Sequence, residues 1–237
     1  MLTDFTPQRR ADETSLTPVD RGDTLAEQVY EQLRRSLLTG GLRTGQQLTI
    51  RTLASSLGVS ATPVREALGR LVAEGALAFG PNRTVHVPVL TPDQASEIYE
   101  IRIPLEGMLA EAAARRIPGD ILPELAAIAE RHDAALDVED YATSVRMVFE
   151  FKSMLYQTAG LPIALKIVEG LWLRTVPHIH LLYPMSRETR TGVRCHRDAV
   201  SALRAGDAPG VRAAMQRDLI EHRLILLDVL VRAAAAR

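Results

Sequence analysis

A chain of 237 residues with 46% hydrophobic and 24% charged residues is long enough for two modest domains, and its make-up excludes a disordered or fibrous protein. The formal net charge of −1 selects no partner by itself, and no apolar run approaches the ~18 residues of a membrane span. Cys195 is the only cysteine, so an internal disulfide is excluded; with no signal-peptide core at the N-terminus, a reducing, cytoplasmic setting is the expectation.

Residues 1–22 mix Pro7, Pro18, several threonines and charges without periodicity and read as a flexible tail. From Thr24, Leu25, Val29, Leu33 and Leu37 recur every four residues, predicting a helix that ends at Gly40-Gly41. Arg34 and Arg35 near its end fit either helix-dipole capping or phosphate contact. The stretch Thr49 to Gly75 then predicts two short helices joined at Gly58-Val59-Ser60. Thr49 and Ser60 are their N-caps, and Val64, Ala67, Leu68, Leu71 and Val72 form the buried stripe of the second. Its exposed start carries Ala61, Thr62 and Arg65, where a recognition helix meets base edges and phosphates.

Leu77-Ala78-Phe79 and Val85-His86-Val87 flank the turn-rich Gly80-Pro81-Asn82-Arg83-Thr84, predicting a hairpin with Arg83 at its tip. The sum is a winged helix-turn-helix over 23–89. Charge agrees in sign: residues 21–90 hold eight arginines against five acids, whereas 91–237 hold eighteen basic residues against twenty acids.

Thr91 with Pro92 opens an all-α six-helix bundle over 90–237, giving a mainly α fold overall. Its first helix carries a stripe of Ile98, Ile101, Leu105, Met108 and Ala112, and Pro104 should kink it. Further helices fall near 121–136, 139–159, 162–183, 187–205 and 208–235.

The run LRTGQQLTIRTLASSLGVSATPVREALGRLVAEG resembles the DNA-binding domain of GntR-family bacterial transcription regulators. The segments IRIPLEGMLAEAAARR, FKSMLYQTAGLP and CHRDAVSALRAGDAPGVRAAMQRDL resemble the FCD effector domain of that family's FadR branch. The resemblance implies a homodimer, most often a repressor, that binds a near-palindromic double-stranded operator and responds to a small, often carboxylate, metabolite. It places DNA contacts on Arg51, Ser60, Thr62, Arg65 and the wing around Arg83. Ala61 stands where an arginine is common and Thr84 where glycine is usual, so the operator is expected to depart from the usual family sequence.

FCD domains often hold a divalent metal, but two of the ligand positions are here Val148 and Lys152, beside His196 and Asp218. No metal cofactor is therefore expected; His196, Asp218 and His222 are a residual option, with a metal-responsive regulator as the alternative. Periodicity turns Lys152, His196 and Asp218 inward, which leaves two readings: Lys152 replaces the metal as partner of an anionic effector, or it forms a structural ion pair with Asp218. Arg102 and Arg174 are further effector candidates, with an intrahelical Arg102–Glu106 pair as the plainer reading of the first. No nucleophile–base arrangement or glycine-rich phosphate loop points to an enzyme. A helical interaction module that does not bind DNA is the remaining rival.

Overall fold

The computed structural model describes residues 24–80, 84–183 and 190–235. The expected tail at 1–22, the wing-tip Arg83 and the first residues of the helix expected over 187–205 lie outside the described residues.

Helix α1 (Leu25–Leu38) starts at Thr24, whose hydroxyl accepts the Glu27 amide, and buries Val29, Leu33 and Leu37, as their spacing requires. Leu25, in the same series, stays 55% exposed. Helices α2 (Ile50–Leu57) and α3 (Ala61–Ala73) follow, and α1 packs on α3. Three two-residue strands, β1 (Gln47–Leu48), β2 (Ala78–Phe79) and β3 (Val85–His86), form an antiparallel sheet in the order β1-β3-β2. The β2–β3 wing was legible from the sequence. Strand β1 was not: two residues carry no periodicity, and only the partner strand, pairing Leu48 with Val85, defines it.

The bundle comprises α4 (Pro92–Ala114), α5 (Ile121–Asp137), α6 (Tyr141–Gln157), α7 (Pro162–Thr175), α8 (Thr191–Ala205) and α9 (Ala208–Ala235). Thr91 and Gln94 form a reciprocal capping box at the start of α4. The long α9 packs on α4 and α8, α5 packs on α6 and α8, and α4 also meets α6 and α7. The helix expected over 162–183 divides: the α-helix ends at Thr175 and a 3₁₀ segment, Val176–Leu182, continues it. Pro177 accounts for the change, because it has no N–H for the α-helical ladder and its ring crowds the preceding turn.

The stripe expected inside α4 faces the other way. Ile98 is buried, but Ile101 and Met108 are each 41% exposed, and the inward face carries Arg102, Glu106, Leu109 and Ala113. Two buried charges that satisfy one another displaced the apolar set. The apolar core is continuous between head and bundle, running from Val29 and Leu68 through Leu109 and Phe151 to Met215.

Candidate nucleic-acid interface and effector cavity

At the head, the Thr49 hydroxyl accepts the Thr52 amide at 3.1 Å, and α2 closes at Gly58 in the left-handed conformation. Ser60 has the extended backbone of an N-cap at α3, although its side chain makes no capping bond, which leaves the hydroxyl for another acceptor or donor. Pro63, Val64, Ala67, Leu68 and Leu71 are buried, and this one-sided burial holds the opposite face outward. Arg51, Ser60, Thr62 and Arg65 are all exposed, and among the described residues neither arginine forms an ion pair. Unpaired guanidinium groups at the start of a helix-turn-helix are free to meet phosphates and base edges. Ala61 is exposed beside them and offers only a methyl group.

Inside the bundle the structure brings Arg102, Lys152, His196 and Asp218 together, with a fifth residue at the hub. Glu106 is fully buried. Its Oε1 accepts from Arg102 Nε at 2.7 Å and Trp172 Nε1 at 2.9 Å; its Oε2 accepts from the Tyr156 hydroxyl at 3.1 Å and Lys152 Nζ at 3.4 Å. Burial pushes its acidity toward the neutral form, but the Arg102 and Lys152 charges outweigh that and hold the carboxyl below its ordinary range. Lys152 Nζ lies 2.8 Å from Asp218 Oδ2, and His222 Nδ1 lies 3.4 Å from Asp218 Oδ1. Lys152 pairs with Asp218 by charge, whereas His222, lowered by burial, is a neutral neighbour; neither Asp218 oxygen has a well-aligned hydrogen bond. Burial opposes ionisation of both partners, yet Asp218 is held well below the usual carboxylate range and Lys152 above its own, so the pair stays charged.

Three histidines surround this pair. Burial lowers His132 to about 4 and pushes His196 and His222 down as well, so all three are neutral at pH 7. His196 stacks on Phe151 at 4.1 Å, and neither of its ring nitrogens has a hydrogen-bond partner among the described residues.

Arg102, Lys152, Thr175 and His222 line a cavity whose other walls are apolar, including Val148, Phe149, Trp172, Leu219 and Leu226. The space it encloses is small, about 40 Å³. Such a mixture, a few convergent polar groups in an apolar cleft, is the usual form of a small-molecule site. Arg102 Nη1 donates to Thr175 Oγ1 at 3.0 Å, and its Nη2 group has no protein acceptor among the described residues. The donor set does not suit a metal ion: Val148 has no donor atom, and the Lys152 ammonium sits against Asp218 where a cation would approach. Among the described residues no group of three or more His, Cys, Asp and Glu has metal-holding geometry, which applies equally to His196, Asp218 and His222.

Arg174 is not part of this cavity. Its neighbour Thr175 faces inward, and one helical step turns Arg174 out toward the head, where Nε and Nη2 donate to the Glu74 carbonyl at 3.3 and 3.0 Å. Gly75 makes room for it: a Cβ there would stand 2.6 Å from Arg174 Nη2. Arg34 likewise serves neither of its expected roles, pairing instead with Glu169 of α7 at 2.6 Å.

Comparison with known proteins agrees with this layout. Residues 25–87 match the family model of bacterial regulatory proteins of the gntR family, and residues 97–222 match that of the FCD domain. The chain is 32% identical to the HTH-type transcriptional regulator McbR of Escherichia coli K12 over 86% of its own length and 93% of McbR. It is 26% identical to the HTH-type transcriptional repressor RspR of the same organism, covering 88% of this chain and 90% of RspR. The solved structure of E. coli McbR/YncC superposes with a TM-score of 0.79 at 31% identity, over 86% of this chain and 98% of that one. The chain belongs to the GntR family and carries its FCD effector-binding domain, so it is a DNA-binding transcription regulator and not an enzyme.

Proposed function

We propose that the protein is a dimeric, ligand-responsive repressor that binds a near-palindromic operator and releases or reshapes it when a small carboxylate enters the cavity of the FCD domain. The observation that carries the reading is the cavity itself: Arg102 and Lys152 line it with Thr175 and His222, and most of the remaining wall is apolar. Lys152 has three N–H groups for two carboxylates, and Arg102 Nη2 is uncommitted, so an acceptor-bearing head group finds donors without breaking the Lys152–Asp218 pair. The two sequence readings of Lys152 are thereby compatible, with Asp218 and Glu106 as its buried partners. Two recognition helices in a dimer would enter successive major grooves about 34 Å apart.

The outward apolar stripe of α4 supports a dimer. Ile101, Leu105 and Met108 recur at i, i+4 and i+7, and Leu105 shares a groove with Leu161, Pro162, Ile163 and Ile167 at the start of α7, of which Ile163 is 79% exposed. A second copy of the same face would cover it isologously.

The test is operator release. Protein bound to DNA from its own upstream region is titrated with straight-chain carboxylates of increasing length, alongside Arg102→Gln. Release by one member of the series that is lost in the variant supports the reading; a wild-type complex indifferent to every carboxylate contradicts it.

A further inference from the structure

The cavity is not walled by the FCD bundle alone. Leu38, the last residue of α1 and 2% exposed, lines it together with Val145, Val148 and Val176. The approach of the head at this point is close and specific. Gly40 has φ +74°, and a Cβ there would crowd Val145 Cγ1 at 3.0 Å, so the glycine suits both the backbone turn and the close approach of α1 to α6. Next to it the 3₁₀ segment ties the two parts again: the Thr44 amide donates to the Pro177 carbonyl at 3.1 Å, and the Thr44 hydroxyl lies 3.0 Å from His178 Nε2. Val176, Ile179 and Leu182 of that same segment line the cavity.

We infer that Leu38 is an effector-contacting, specificity-determining residue, so the effector site is built jointly by the DNA-binding head and the FCD domain. This rests on the proposed ligand role of the cavity and goes beyond it. A ligand seated between Lys152 and the apolar walls meets a side chain from α1, the helix that packs directly on recognition helix α3. Head orientation and ligand fit are then one equilibrium: any movement of α1 that DNA selects moves a wall of the site, and by linkage the ligand biases the head in return.

The experiment uses full-length protein and 8-anilinonaphthalene-1-sulfonate, an anion with an apolar body, read through Trp172, the only tryptophan and itself in the cavity wall. Leu38→Phe narrows the site from the head, and Val148→Phe narrows it from the bundle. The expected result is at least tenfold weaker probe binding in both variants with unchanged circular dichroism. A second measurement needs no substitution: in protein with ¹³C-labelled leucine methyls, probe ring protons give nuclear Overhauser contacts to Leu38. Loss of binding in Val148→Phe alone, with no Overhauser contact to Leu38, overturns the joint site and leaves the cavity reading standing. Binding that neither variant alters, or no binding by wild type, overturns both.

Discussion

Trp172 and Arg174 stand two residues apart on α7 and hold opposite parts of the molecule. The Trp172 indole donates to buried Glu106 beside the cavity at 2.9 Å, and Arg174 Nη2 donates to the Glu74 carbonyl at the C-terminal end of the recognition helix at 3.0 Å. One rigid helix thus joins the polar hub to the DNA-reading element. Arg174→Ala removes a charge-assisted bond to that helix end. Amides of residues 74–77 are expected to exchange with solvent about fivefold faster, while α9 is unchanged. Equal exchange at 74–77 in variant and wild type would show that Arg174 carries no such restraint.

Lys152→Met strands Asp218 in the bundle interior with only the neutral His222 beside it. Removing one partner of a buried pair costs about 3–5 kcal/mol, because the remaining charge keeps its desolvation penalty. The double variant Lys152→Met/Asp218→Asn is expected to recover most of the loss. Urea unfolding measures both; a loss under about 1 kcal/mol in the single variant would rule out a closed, water-free pair.

Acid should weaken the fold before its carboxylates titrate. His132 has a folded pKa of about 4 against 6.5, and His196 and His222 are lowered too, so the unfolded chain takes up protons that the native one does not. Stability from these groups is complete above the unfolded value and declines as pH falls from about 6.5 toward 4. His132 alone accounts for a change of order 3 kcal/mol across that window. Unfolding at pH 7.5 and 5 should show the decline, and His132→Gln should flatten it; the same slope in wild type and variant would place the proton uptake elsewhere.

Charge balance in the cavity makes a further prediction for the proposed carboxylate. Arg102 and Lys152 are already matched by Glu106 and Asp218, so an incoming anion leaves one charge uncompensated. His222 lines the cavity; burial opposes its protonation most strongly, Asp218 and Glu221 favour it, and Lys152 and Arg102 oppose it. An added anion tips that balance, so binding takes up a proton. Affinity for the carboxylate should rise by up to about tenfold per unit as pH falls from 7.5 to 6. Calorimetric titration in buffers of different ionisation enthalpy checks it, and a pH-independent affinity would place the anion away from His222.

Much of the head was legible in the sequence because its signals are local. Thr49 and Gly58 delimit α2 by their own chemistry, and the spacing of Val64, Ala67, Leu68 and Leu71 orients α3 without reference to the rest of the chain. The inward turn of Lys152, His196 and Asp218 was also readable from period, since each shares a stripe with buried apolar residues. Glu106 was harder. Its i+4 spacing from Arg102 pointed to the intrahelical pair that forms, but only the tertiary approach of Trp172, Tyr156 and Lys152 makes it the hub. Arg174 was misplaced for a related reason: a helix shared by two packed parts has two buried-side neighbours, and period alone does not tell which one a long side chain reaches. His132 gave no signal of its own, because it stands in the charged run Glu130-Arg131-His132-Asp133 and only the approach of α8, with His196 against its ring, buries it.

The measurement that bears most directly on the whole account is fluorescence anisotropy of DNA from the upstream region of its own gene, titrated with wild type and with Arg65→Ala at several salt concentrations. A sequence-reading regulator predicts tight wild-type binding that weakens steeply with salt, and a loss of about 1–3 kcal/mol in the variant. Equal, weak binding by both proteins would contradict the assignment of α3 as the recognition helix.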